Sequence, residues 1–439
     1  MESGDGRLLY TRRYCYEKIM RTLPPLPKWI AFEHEVATIL TQQEQHGWYF
    51  NERAARELES SLIKEYEETC ELLRNRHPFV AGPLFTPKRN NRTKGYVSGA
   101  TFTKLKDLNP TSRDHIAWIL TQHYGWKPSL TTSTGKPVID ETVLKDIGTD
   151  IALHFFRLLE LTKMLGMISE GVNAWQKLST TASRIHHHCS VATSTFRAAH
   201  RKPNLSQVPS DERFRQLFTA TPGKVLVGAD LSGIELRMLA HYLARFDKGR
   251  YSKILLTGDI HQTNAERIGI SRRDVKTVTY AFLYGAGDRK IGVSVDKQLS
   301  DEQATKKGRE IRKAYVEAIP GLKELLEAVR EASKRGYVLG LDKRRILVDK
   351  EHKSLNYLLQ GSSAILAKRW MVLANENLPR SANQVAFVHD ELQFEAESHE
   401  VDDLKFLLEL TAMQAGEYYK MRCPVAAESQ SGTTWADVH

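Results

Sequence analysis

Two long stretches near the beginning of the chain have apolar residues at helical spacing. Over residues 29–50 and 52–74, apolar side chains return every three or four positions, which predicts a long helical hairpin. Asn51 stands at the join and is a candidate N-cap for the second helix. Further helical patterns cover residues 112–124 and 152–177.

Short apolar runs join the helical patterns in the second half of the chain. KVLVGAD (residues 224–230) is an apolar run that ends in a carboxylate, which predicts a buried strand, and a helix is expected over residues 234–246. Mostly helical patterns follow over residues 259–335 and 353–375. These elements predict an α+β fold in which helices flank a small, mostly antiparallel sheet.

A second carboxylate stands in a predicted hairpin. QVAFVHDELQFEAE (residues 384–397) has an apolar and an alternating run on either side of a polar tip, which predicts a β-hairpin with His389, Asp390 and Glu391 at its turn. If the hairpin pairs with the strand that ends at Asp230, two carboxylates converge at one sheet edge. Such a pair can hold Mg²⁺, whereas either Asp alone is more typical of a strand end.

Four residues at four-residue intervals predict a second functional face. Arg272, Lys276, Tyr280 and Tyr284 fall on one stripe of a helix, as two cations followed by two aromatic rings. The stripe suits a nucleotide, with cations on the phosphates and rings near sugar and base. A solvated basic face with inward rings is the alternative. His261, just upstream, is either a further phosphate donor or a structural histidine.

Composition narrows the class of protein. The 439 residues are 41% hydrophobic and 26% charged, a globular composition with room for roughly three domains. Lys and Arg exceed Asp and Glu by a net charge of +10, which favours a polyanionic partner. Four scattered cysteines indicate a reducing compartment and no disulfide framework. No apolar run approaches about 18 residues, so no membrane partner is expected.

Two further polar segments are candidate ligand sites. Residues 82–99 are irregular and carry four cations, and they form either a solvated loop or a loop that grips nucleic-acid phosphate. The run HHHC at residues 186–189 has the composition of a metal site. Because adjacent side chains of an extended segment point to alternate faces, these four cannot easily converge, and zinc binding is not expected.

Three motifs resemble those of family A DNA polymerases, the DNA polymerase I-like enzymes. DLSGIELRMLAHY (residues 230–242) resembles motif A, RRDVKTVTYAFLYG (272–285) resembles motif B and VHDE (388–391) resembles motif C, in the order of that family. PNLSQVPS (203–210) and LNYLLQGSSA (355–364) are similar to its segments before motif A and between motifs B and C. The resemblance extends from about residue 28 to the C-terminus and is closest to the replicative polymerases of short-tailed bacteriophages.

The resemblance implies a right-hand polymerase fold, with a small antiparallel palm sheet and a mostly helical thumb and fingers. The expected thumb covers residues 28–166. The palm covers residues 167–242 and 347–439, and the fingers cover residues 243–346. Residues 1–27 are expected to form an N-terminal extension and are a candidate partner-binding segment.

The resemblance also implies catalytic and DNA-binding residues. Asp230 and Asp390 would ligate two Mg²⁺ ions, the Leu231 carbonyl would be a further ligand, and Glu391 would support the catalytic site from beside them. Contacts with primer and template are implied for six residues: Arg197, Tyr284, Gly285, Asn356, Gln360 and His389. Of these, Tyr284 and Gly285 would lie under the nascent base pair.

Five residues are implied in binding the incoming deoxynucleotide. Arg272, Lys276 and His261 would hold its triphosphate and offset charge that develops in the transition state. Glu235 would fill the space that a ribose 2′-OH needs. Tyr280 would stack on the sugar, with its hydroxyl near Glu235.

The sequence departs from the family pattern at two places. Thr195-Phe196-Arg197 stands where the family usually has Thr-Gly-Arg, and a Phe is not expected to adopt the backbone angles that are open to Gly. The local contact of Arg197 is therefore expected to differ. DKRR (residues 342–345) replaces a Gly-Arg-Arg-type run, which keeps the charge and alters the turn.

The implied function is template-directed DNA synthesis, as in phage genome replication in the cytoplasm of an infected bacterium, with primer–template DNA and dNTPs as partners. The first 106 residues contain a single Asp, Asp5, so they cannot supply the acidic metal ligands of a 3′–5′ exonuclease. A separately encoded exonuclease subunit is therefore a candidate partner. Thioredoxin binding is doubtful, because the corresponding segment, residues 79–106, is short and basic.

Two other functions remain as alternatives. A single-subunit RNA polymerase shares this general architecture, but Glu235 argues against ribonucleotides. A non-catalytic or accessory DNA-binding subunit of a replication complex could keep the fold, although all the expected catalytic residue types are present. Primer extension separates these possibilities.

Overall fold

Helices and short strands alternate through the part of the chain that the computed structural model describes, which comprises residues 27–128, 130–296 and 299–439. Residues 1–26 of the predicted N-terminal extension lie outside the described residues. The strands are β1 (Trp48–Phe50), β2 (Phe79–Phe85), β3 (Phe102–Asp107), β4 (Arg184–Ile185), β5 (His188–Ser190), β6 (Ala199–Arg201), β7 (Phe218–Thr219), β8 (Lys224–Leu231), β9 (Tyr337–Leu339), β10 (Arg345–Leu347), β11 (Asn383–Val388), β12 (Glu391–Glu397) and β13 (Ala427–Gly432). The α-helices are α1 (Lys28–His46), α2 (Glu52–Arg76), α3 (Arg113–Tyr124), α4 (Glu141–Ile147), α5 (Asp150–Leu165), α6 (Trp175–Leu178), α7 (Glu212–Arg215), α8 (Ile234–Asp247), α9 (Arg250–Thr257), α10 (Ile260–Ile268), α11 (Arg272–Leu283), α12 (Asp288–Val295), α13 (Asp301–Ala318), α14 (Leu322–Ser333), α15 (Ser354–Glu376) and α16 (Val401–Tyr418).

The chain divides into two compact units. The small unit is Phe50–Ile185, and the large unit comprises the described residues up to Tyr49 together with His186–His439. This division does not separate a palm from fingers, so the three domains inferred from the sequence stay a prediction. No helix among the described residues combines the length and the apolar character that crossing a bilayer requires.

The small unit is built on α2 and α5, which pack together. The predicted N-cap is confirmed, because the Asn51 side chain accepts a hydrogen bond from the Ala54 N–H at 3.1 Å. Helix α3 is also confirmed, whereas the helix predicted over residues 152–177 ends at Leu165 and continues as a π-helical turn. Strands β2 and β3 form an antiparallel hairpin that the sequence interpretation missed.

The first predicted helix ends four residues early. Helix α1 ends at His46, and Gly47 takes a φ of +70°, a left-handed angle that glycine adopts without strain. The next three residues form β1 instead of helix. Trp48 in β1 is fully buried, with its ring centroid 5.3 Å from that of Phe218 and 4.9 Å from that of Trp435. Aromatic packing therefore outweighs the helical pattern here.

A four-stranded antiparallel sheet lies at the centre of the large unit. Its strand order is β11-β12-β8-β13, so the predicted hairpin pairs with the predicted strand that carries Asp230. Helix α16 packs on β8 and β13, and α15 packs against α16. Helix α8 follows β8 directly, after Gly233 at a φ of +57°. The α+β prediction is confirmed. Helices α15 and α16 form a core behind the sheet, and this core fixes the position of the sheet edge that carries Asp230.

Helices α10 to α13 form a second layer of the large unit, and they carry the predicted nucleotide-binding face. Helices α12 and α13 cross so closely that a Cβ on Gly292 would overlap the carbonyl of Ala304, and one on Gly308 would overlap that of Asp288. Helix α11 packs against α10 and α12, which leaves Arg272 and Lys276 exposed on its outer side.

Candidate active site

Two carboxylates meet where β8 ends and the β11–β12 hairpin turns. Glu391, the first residue of β12, lies opposite Asp230 in the antiparallel register. The Leu231 N–H donates a hydrogen bond of 3.0 Å to the backbone carbonyl of Asp390, which locks the hairpin tip onto the end of β8. His389 takes a φ of +61° in the turn. The convergence of Asp230 and Asp390 that the sequence predicts is thereby confirmed.

The two carboxylates lie in an acidic environment. Asp230 is exposed at the sheet edge, but desolvation by its neighbours and the charges of Asp390, Glu391 and Glu235 raise its pKa to about 8. Desolvation and the charge of Glu235 raise the pKa of Asp390 to about 6, while Arg197 opposes the rise. Each carboxylate would therefore be stabilised as an anion by an added cation.

Glu391 differs from its two neighbours because its carboxylate is already satisfied. It is 4% exposed, and its Oε1 accepts hydrogen bonds from Trp435 Nε1 at 2.7 Å and Gln393 Nε2 at 2.6 Å. His439 Nδ1 lies 3.0 Å from its Oε2. Burial raises the pKa of Glu391, and these hydrogen bonds oppose the rise. Glu391 therefore stands beside the Asp pair, as expected, as an internally bonded carboxylate.

Helix α11 presents Arg272, Lys276 and Tyr280 of the predicted stripe, and Tyr284 follows its last residue as the C-cap. Arg272 and Lys276 are exposed and Tyr280 is half-buried. His261, on α10, is buried with its ring centroid 6.2 Å from that of Tyr280, and its Nδ1 has no hydrogen-bond partner among the described residues. Arg272 pairs with Asp259 at 2.6 Å, a partner that sequence reasoning missed. An incoming anion would have to replace that carboxylate.

Glu235 links the stripe to the sheet edge. Its Oε1 accepts a hydrogen bond of 2.8 Å from the Tyr284 hydroxyl and lies 3.7 Å from Arg197. Burial raises the pKa of Tyr280, and the negative charge of Glu235 adds to the rise, so Tyr280 lies within the electrostatic reach of Glu235. The tyrosine that holds Glu235 is nevertheless Tyr284, which the sequence interpretation placed only under the base pair.

The backbone before Arg197 contradicts one sequence expectation. Phe196 adopts a φ of +60°, the left-handed angle that was expected only of the glycine usual in the family. Its ring lies 5.1 Å from the guanidinium of Arg344 and 5.5 Å from the ammonium of Lys368, so two cation–π contacts hold it in place. The expectation was wrong because these buried cations offset a strain of about 1–2 kcal/mol.

The acidic partners of Arg344 and Lys368 lie in the altered turn at residues 342–345 and on helix α1. Lys343 takes a φ of +67°, and Arg344 is 3% exposed and pairs with Asp342 at 2.6 Å. Glu33 on α1 accepts from both Arg344 and Lys368. The positive charge of the family's basic run is kept, as expected. The charge of Arg344, however, is buried and is neutralised by acidic side chains of the protein itself.

The remaining predicted DNA contacts lie around the end of α11 and the hairpin tip. Asn356 Nδ2 donates to the Leu283 carbonyl at 2.8 Å, and Gly285 has a φ of +70° next to Asn356. Gln360 is half-buried, one turn further along α15. His389 has a partly buried ring, and burial and the charge of Arg197 lower its pKa to about 4, so it is neutral at physiological pH.

Comparison with known proteins decides the family. The model of the family described as "DNA polymerase family A" matches residues 90–437 of this chain. The chain belongs to DNA polymerase family A. The polymerase is also 31% identical to the DNA-directed DNA polymerase of Enterobacteria phage T3, over 93% of this chain and 69% of that protein. The corresponding protein of Escherichia phage T7 is 31% identical over 93% of this chain and 70% of its own length.

A solved structure has the same fold as the polymerase. The polymerase domain of Pol1 from M. smegmatis, described in complex with DNA primer-template and dNTP, superposes with a TM-score of 0.75 at 21% identity. The match covers 92% of this chain and 70% of that chain. The predicted right-hand polymerase fold is therefore confirmed, together with the predictions of family A and of a DNA-directed DNA polymerase.

The donor set of the polymerase fits a hard divalent cation. No group of three or more His, Cys, Asp or Glu side chains suited to a metal occurs within residues 27–128, 130–296 and 299–439. Mg²⁺ does not need such a group, since it usually takes one or two protein carboxylates and completes its shell with water and substrate phosphate. The adjacent Asp230 and Asp390, with pKa values raised partly by acidic neighbours, match that requirement.

Several residues that shape this site were not predicted from the sequence. Trp435 and Gln393 fix Glu391, and Asp259 holds Arg272 while its side chain also caps α10. Asp259 stands two residues before His261, and such a residue at a helix start is a recognisable cap. Its ion pair with Arg272 depends on how α10 packs against α11, which spacing alone does not give.

Proposed function

We propose that the chain adds deoxynucleotides to a primer 3′-hydroxyl, opposite a template strand, with two Mg²⁺ ions held by Asp230, Asp390 and the Leu231 carbonyl. The adjacency of Asp230 and Asp390 at the sheet edge is the observation that carries this proposal. Two bound Mg²⁺ ions would supply activation of the attacking hydroxyl and neutralisation of the leaving pyrophosphate.

Helix α11 would bind the triphosphate of the incoming dNTP. Arg272 and Lys276 are exposed on one stripe, and His261 lies beside it with a free ring nitrogen among the described residues. Their donors would hold phosphate oxygens and stabilise the charge that develops during transfer. Tyr280 would stack on the sugar. In the three-domain assignment this face belongs to the fingers, residues 243–346, which would close over the nucleotide.

Glu235 would select deoxyribose over ribose. Its carboxylate is held from one side by Tyr284 and from another by Arg197, which fixes its position beside the α11 stripe. A carboxylate held in the space of a 2′-hydroxyl excludes a ribonucleotide by steric overlap. Primer and template would contact Arg197, Tyr284, Gly285, Asn356, Gln360 and His389.

We further propose that these 439 residues carry polymerisation without a 3′–5′ exonuclease centre. The first 106 residues contain a single Asp, which supports this proposal. A separately encoded exonuclease would then supply proofreading during phage genome replication in the bacterial cytoplasm. Purified protein that removes a mismatched primer end without help would contradict it.

Primer extension tests the main proposal. The parent should extend an annealed primer with dNTPs in MgCl₂ and not in EDTA, and Asp230→Asn should abolish extension. Asp403→Asn, which removes the same charge from an exposed position of α16, is the matched control and should extend normally. Extension by neither the parent nor the control would favour the non-catalytic DNA-binding alternative, and primer-independent use of rNTPs would favour an RNA polymerase.

A further inference from the structure

The two places where this chain departs from the family pattern lie against each other. Phe196 stands where the family usually has a glycine, and Arg344 belongs to the altered turn at residues 342–345. The Phe196 ring lies 5.1 Å from the Arg344 guanidinium, although the two residues are far apart along the chain. Both places also have a left-handed backbone, with a φ of +60° at Phe196 and of +67° at Lys343. The two departures therefore form one structural feature.

Four charged side chains lie behind the Phe196 ring. We call them the charge cluster: Glu33, Asp342, Arg344 and Lys368. Glu33 on α1 pairs with both cations, and Asp342 pairs with Arg344 at 2.6 Å. Lys368 is fully buried and Arg344 is almost so. Buried charges are tolerated when they are paired, and the two carboxylates balance the two cations.

The ring of Phe196 packs on both cations of the charge cluster. Its centroid lies 5.5 Å from Lys368 Nζ as well as 5.1 Å from the Arg344 guanidinium, and cation–π attraction operates within about 6 Å. Neither cation can move away without breaking a buried ion pair with Glu33. The charge cluster therefore fixes the ring, and with it the backbone angle of Phe196.

The backbone turn around Phe196 is closed by two hydrogen bonds. The Phe196 N–H donates to the Thr193 carbonyl at 3.1 Å, and the Thr193 hydroxyl donates to the Arg197 carbonyl at 3.0 Å. Because these bonds fix both sides of the turn and the peptide bond that joins Phe196 to Arg197 is planar, the angles at Phe196 determine the direction in which the Arg197 side chain leaves the backbone.

Arg197 extends into the candidate active site. Its Nη2 lies 3.7 Å from Glu235 Oε1, which is too long for a hydrogen bond. Its positive charge opposes the raised pKa of Tyr284, which burial and Glu235 produce, so Tyr284 is a second neighbour. Both neighbours are themselves proposed to contact substrate. The part of the Arg197 position that does not depend on substrate is therefore set by its backbone.

We propose that Phe196 is a positioning residue for Arg197, and that its ring, packed on the charge cluster, directs the Arg197 guanidinium to the primer terminus beside Glu235. This inference rests on the proposed function, because it explains how one of the proposed primer contacts is oriented. A glycine could adopt the same φ, but it would have no side chain for the charge cluster to fix. A misplacement of about 1 Å can cost on the order of 100-fold in rate, so loss of the ring should slow nucleotide addition.

A double-mutant cycle tests this proposal. Phe196→Leu removes the aromatic face and keeps an apolar side chain at the same backbone angle, and it is combined with Arg197→Ala. The kcat for single-nucleotide incorporation is measured at saturating primer–template and dNTP for the parent, both single variants and the double variant. Phe155→Leu makes the same change in the buried core of the small unit and is the matched control. Circular dichroism confirms folding of each variant.

The proposal predicts a loss that depends on Arg197. Phe196→Leu should lower kcat about 10-fold in the parent and by no more than about 2-fold in the Arg197→Ala background, because the residue that it positions is then absent. The control Phe155→Leu should stay within about 2-fold of the parent. Equal losses from Phe196→Leu in both backgrounds would show a purely structural role and overturn the proposal. An unchanged kcat in Phe196→Leu, or an equal loss in Phe155→Leu, would also overturn it.

A conservative variant tests whether the ring itself is responsible. Phe196→Tyr keeps an aromatic face over Arg344 and Lys368 and should keep kcat within about 2-fold of the parent. A loss as large as that of Phe196→Leu would contradict the proposed action of the ring.

The same assay separates this inference from the proposed function. Failure of the parent to extend any primer would contradict the proposed function. Normal extension by the parent, together with equal losses from Phe196→Leu in the two backgrounds, would contradict only the assignment of Phe196.

Discussion

Two pairs of titratable residues in the large unit have strongly shifted pKa values, and they differ in access. Asp230 and Asp390 are exposed or half-buried at a sheet edge, and desolvation and acidic neighbours raise their pKa values. His187 and His200 are 0% and 6% exposed, with ring centroids 5.5 Å apart, and burial lowers their pKa values to about 3 and about 4.

The two pairs resolve their electrostatic problem in different ways. The histidines lose a proton and remain neutral, and Gln43 bonds His187 Nε2 at 3.0 Å. In the proposed reaction the carboxylates bind Mg²⁺ as anions, so a bound cation would offset the desolvation and the acidic neighbours that raise their pKa values. A shifted pKa therefore marks a candidate catalytic site only where the group also stays accessible to a ligand.

The histidine pair should give the largest effect, on stability in acid. Each ring binds a proton in the unfolded chain at a pKa of about 6.5 and resists it when folded, so stability rises with pH through this range and is lost as pH falls below about 6.5. At pH 5 the loss is about 2 kcal/mol for each histidine, or about 4 kcal/mol for the pair. Because other groups also titrate between these values, the loss is measured as the difference between the parent and a variant that lacks His187, by urea unfolding at pH 5 and 7.5.

A substitution shows whether the buried pair is the cause. His187→Gln lowers stability at pH 7.5, because it removes a buried ring, but it should flatten the decline between pH 6.5 and 5. His399→Gln, which removes an exposed histidine, should leave the pH dependence as in the parent. A decline of unchanged steepness in His187→Gln would contradict the account of the histidine pair.

Glu235, whose charge contributes to the raised pKa values of the accessible pair, should control the selection of deoxyribose over ribose. Glu235→Ala should relax discrimination against rNTPs by about 10–100-fold, equivalent to about 1.4–2.7 kcal/mol. Tyr284→Phe removes the hydroxyl that donates to Glu235 but keeps the Glu235 carboxylate, and it should give a smaller change of the same sign. The ratio of kcat/KM for dNTP and rNTP is the readout, and equal ratios in Glu235→Ala and the parent would remove Glu235 from this role.

Substitution of Phe196 should have a smaller effect, on the free energy of unfolding. Phe196→Ala removes the ring from Arg344 and Lys368 but keeps a side chain at a φ of +60°, for an expected loss of about 2 kcal/mol. Phe196→Gly relieves the backbone strain and should be the more stable of the two by about 1 kcal/mol. Urea unfolding ranks them, and an Ala variant as stable as the Gly variant would contradict the strain argument.

The smallest effect is expected at Asp259. Asp259→Asn keeps a cap for the start of α10 but removes the exposed ion pair with Arg272, so stability should change by less than about 1 kcal/mol. Freed from that partner, Arg272 should bind the triphosphate more readily, and the KM for dNTP should fall about 2-fold. A raised KM would show that Asp259 positions Arg272 productively.

Periodicity and alternation were sufficient for the elements that carry the chemistry. The apolar run of β8, the helical stripe of α11 and the alternating hairpin β11–β12 each occur where their pattern predicts. The pairing of β12 with β8 was only a condition in the sequence interpretation, and the structure shows that it buries both strands in a shared core. These local signals are strong because each element buries one regular face.

Long-range contacts explain what the sequence did not predict. Trp48 lies in a strand because distant rings pack on it, and Phe196 keeps a positive φ because Arg344 and Lys368 lie beneath its ring. The β2–β3 hairpin was missed because its strands are short on apolar alternation and mostly exposed. The contacts of Trp48 and Phe196, unlike those of the hairpin, join residues more than a hundred positions apart, which no local pattern records.

The most direct test of the central claim is to measure Asp390→Asn twice, for single-nucleotide incorporation and for the free energy of unfolding without Mg²⁺. The account predicts a rate about 10³-fold or more below that of the parent, with stability unchanged or raised because a repelled charge is gone. A variant that incorporates at the parent rate would contradict the central claim, and so would one that loses both rate and several kcal/mol of stability. The claim is that Asp230 and Asp390 are destabilised as anions in the folded protein and serve to bind a cation.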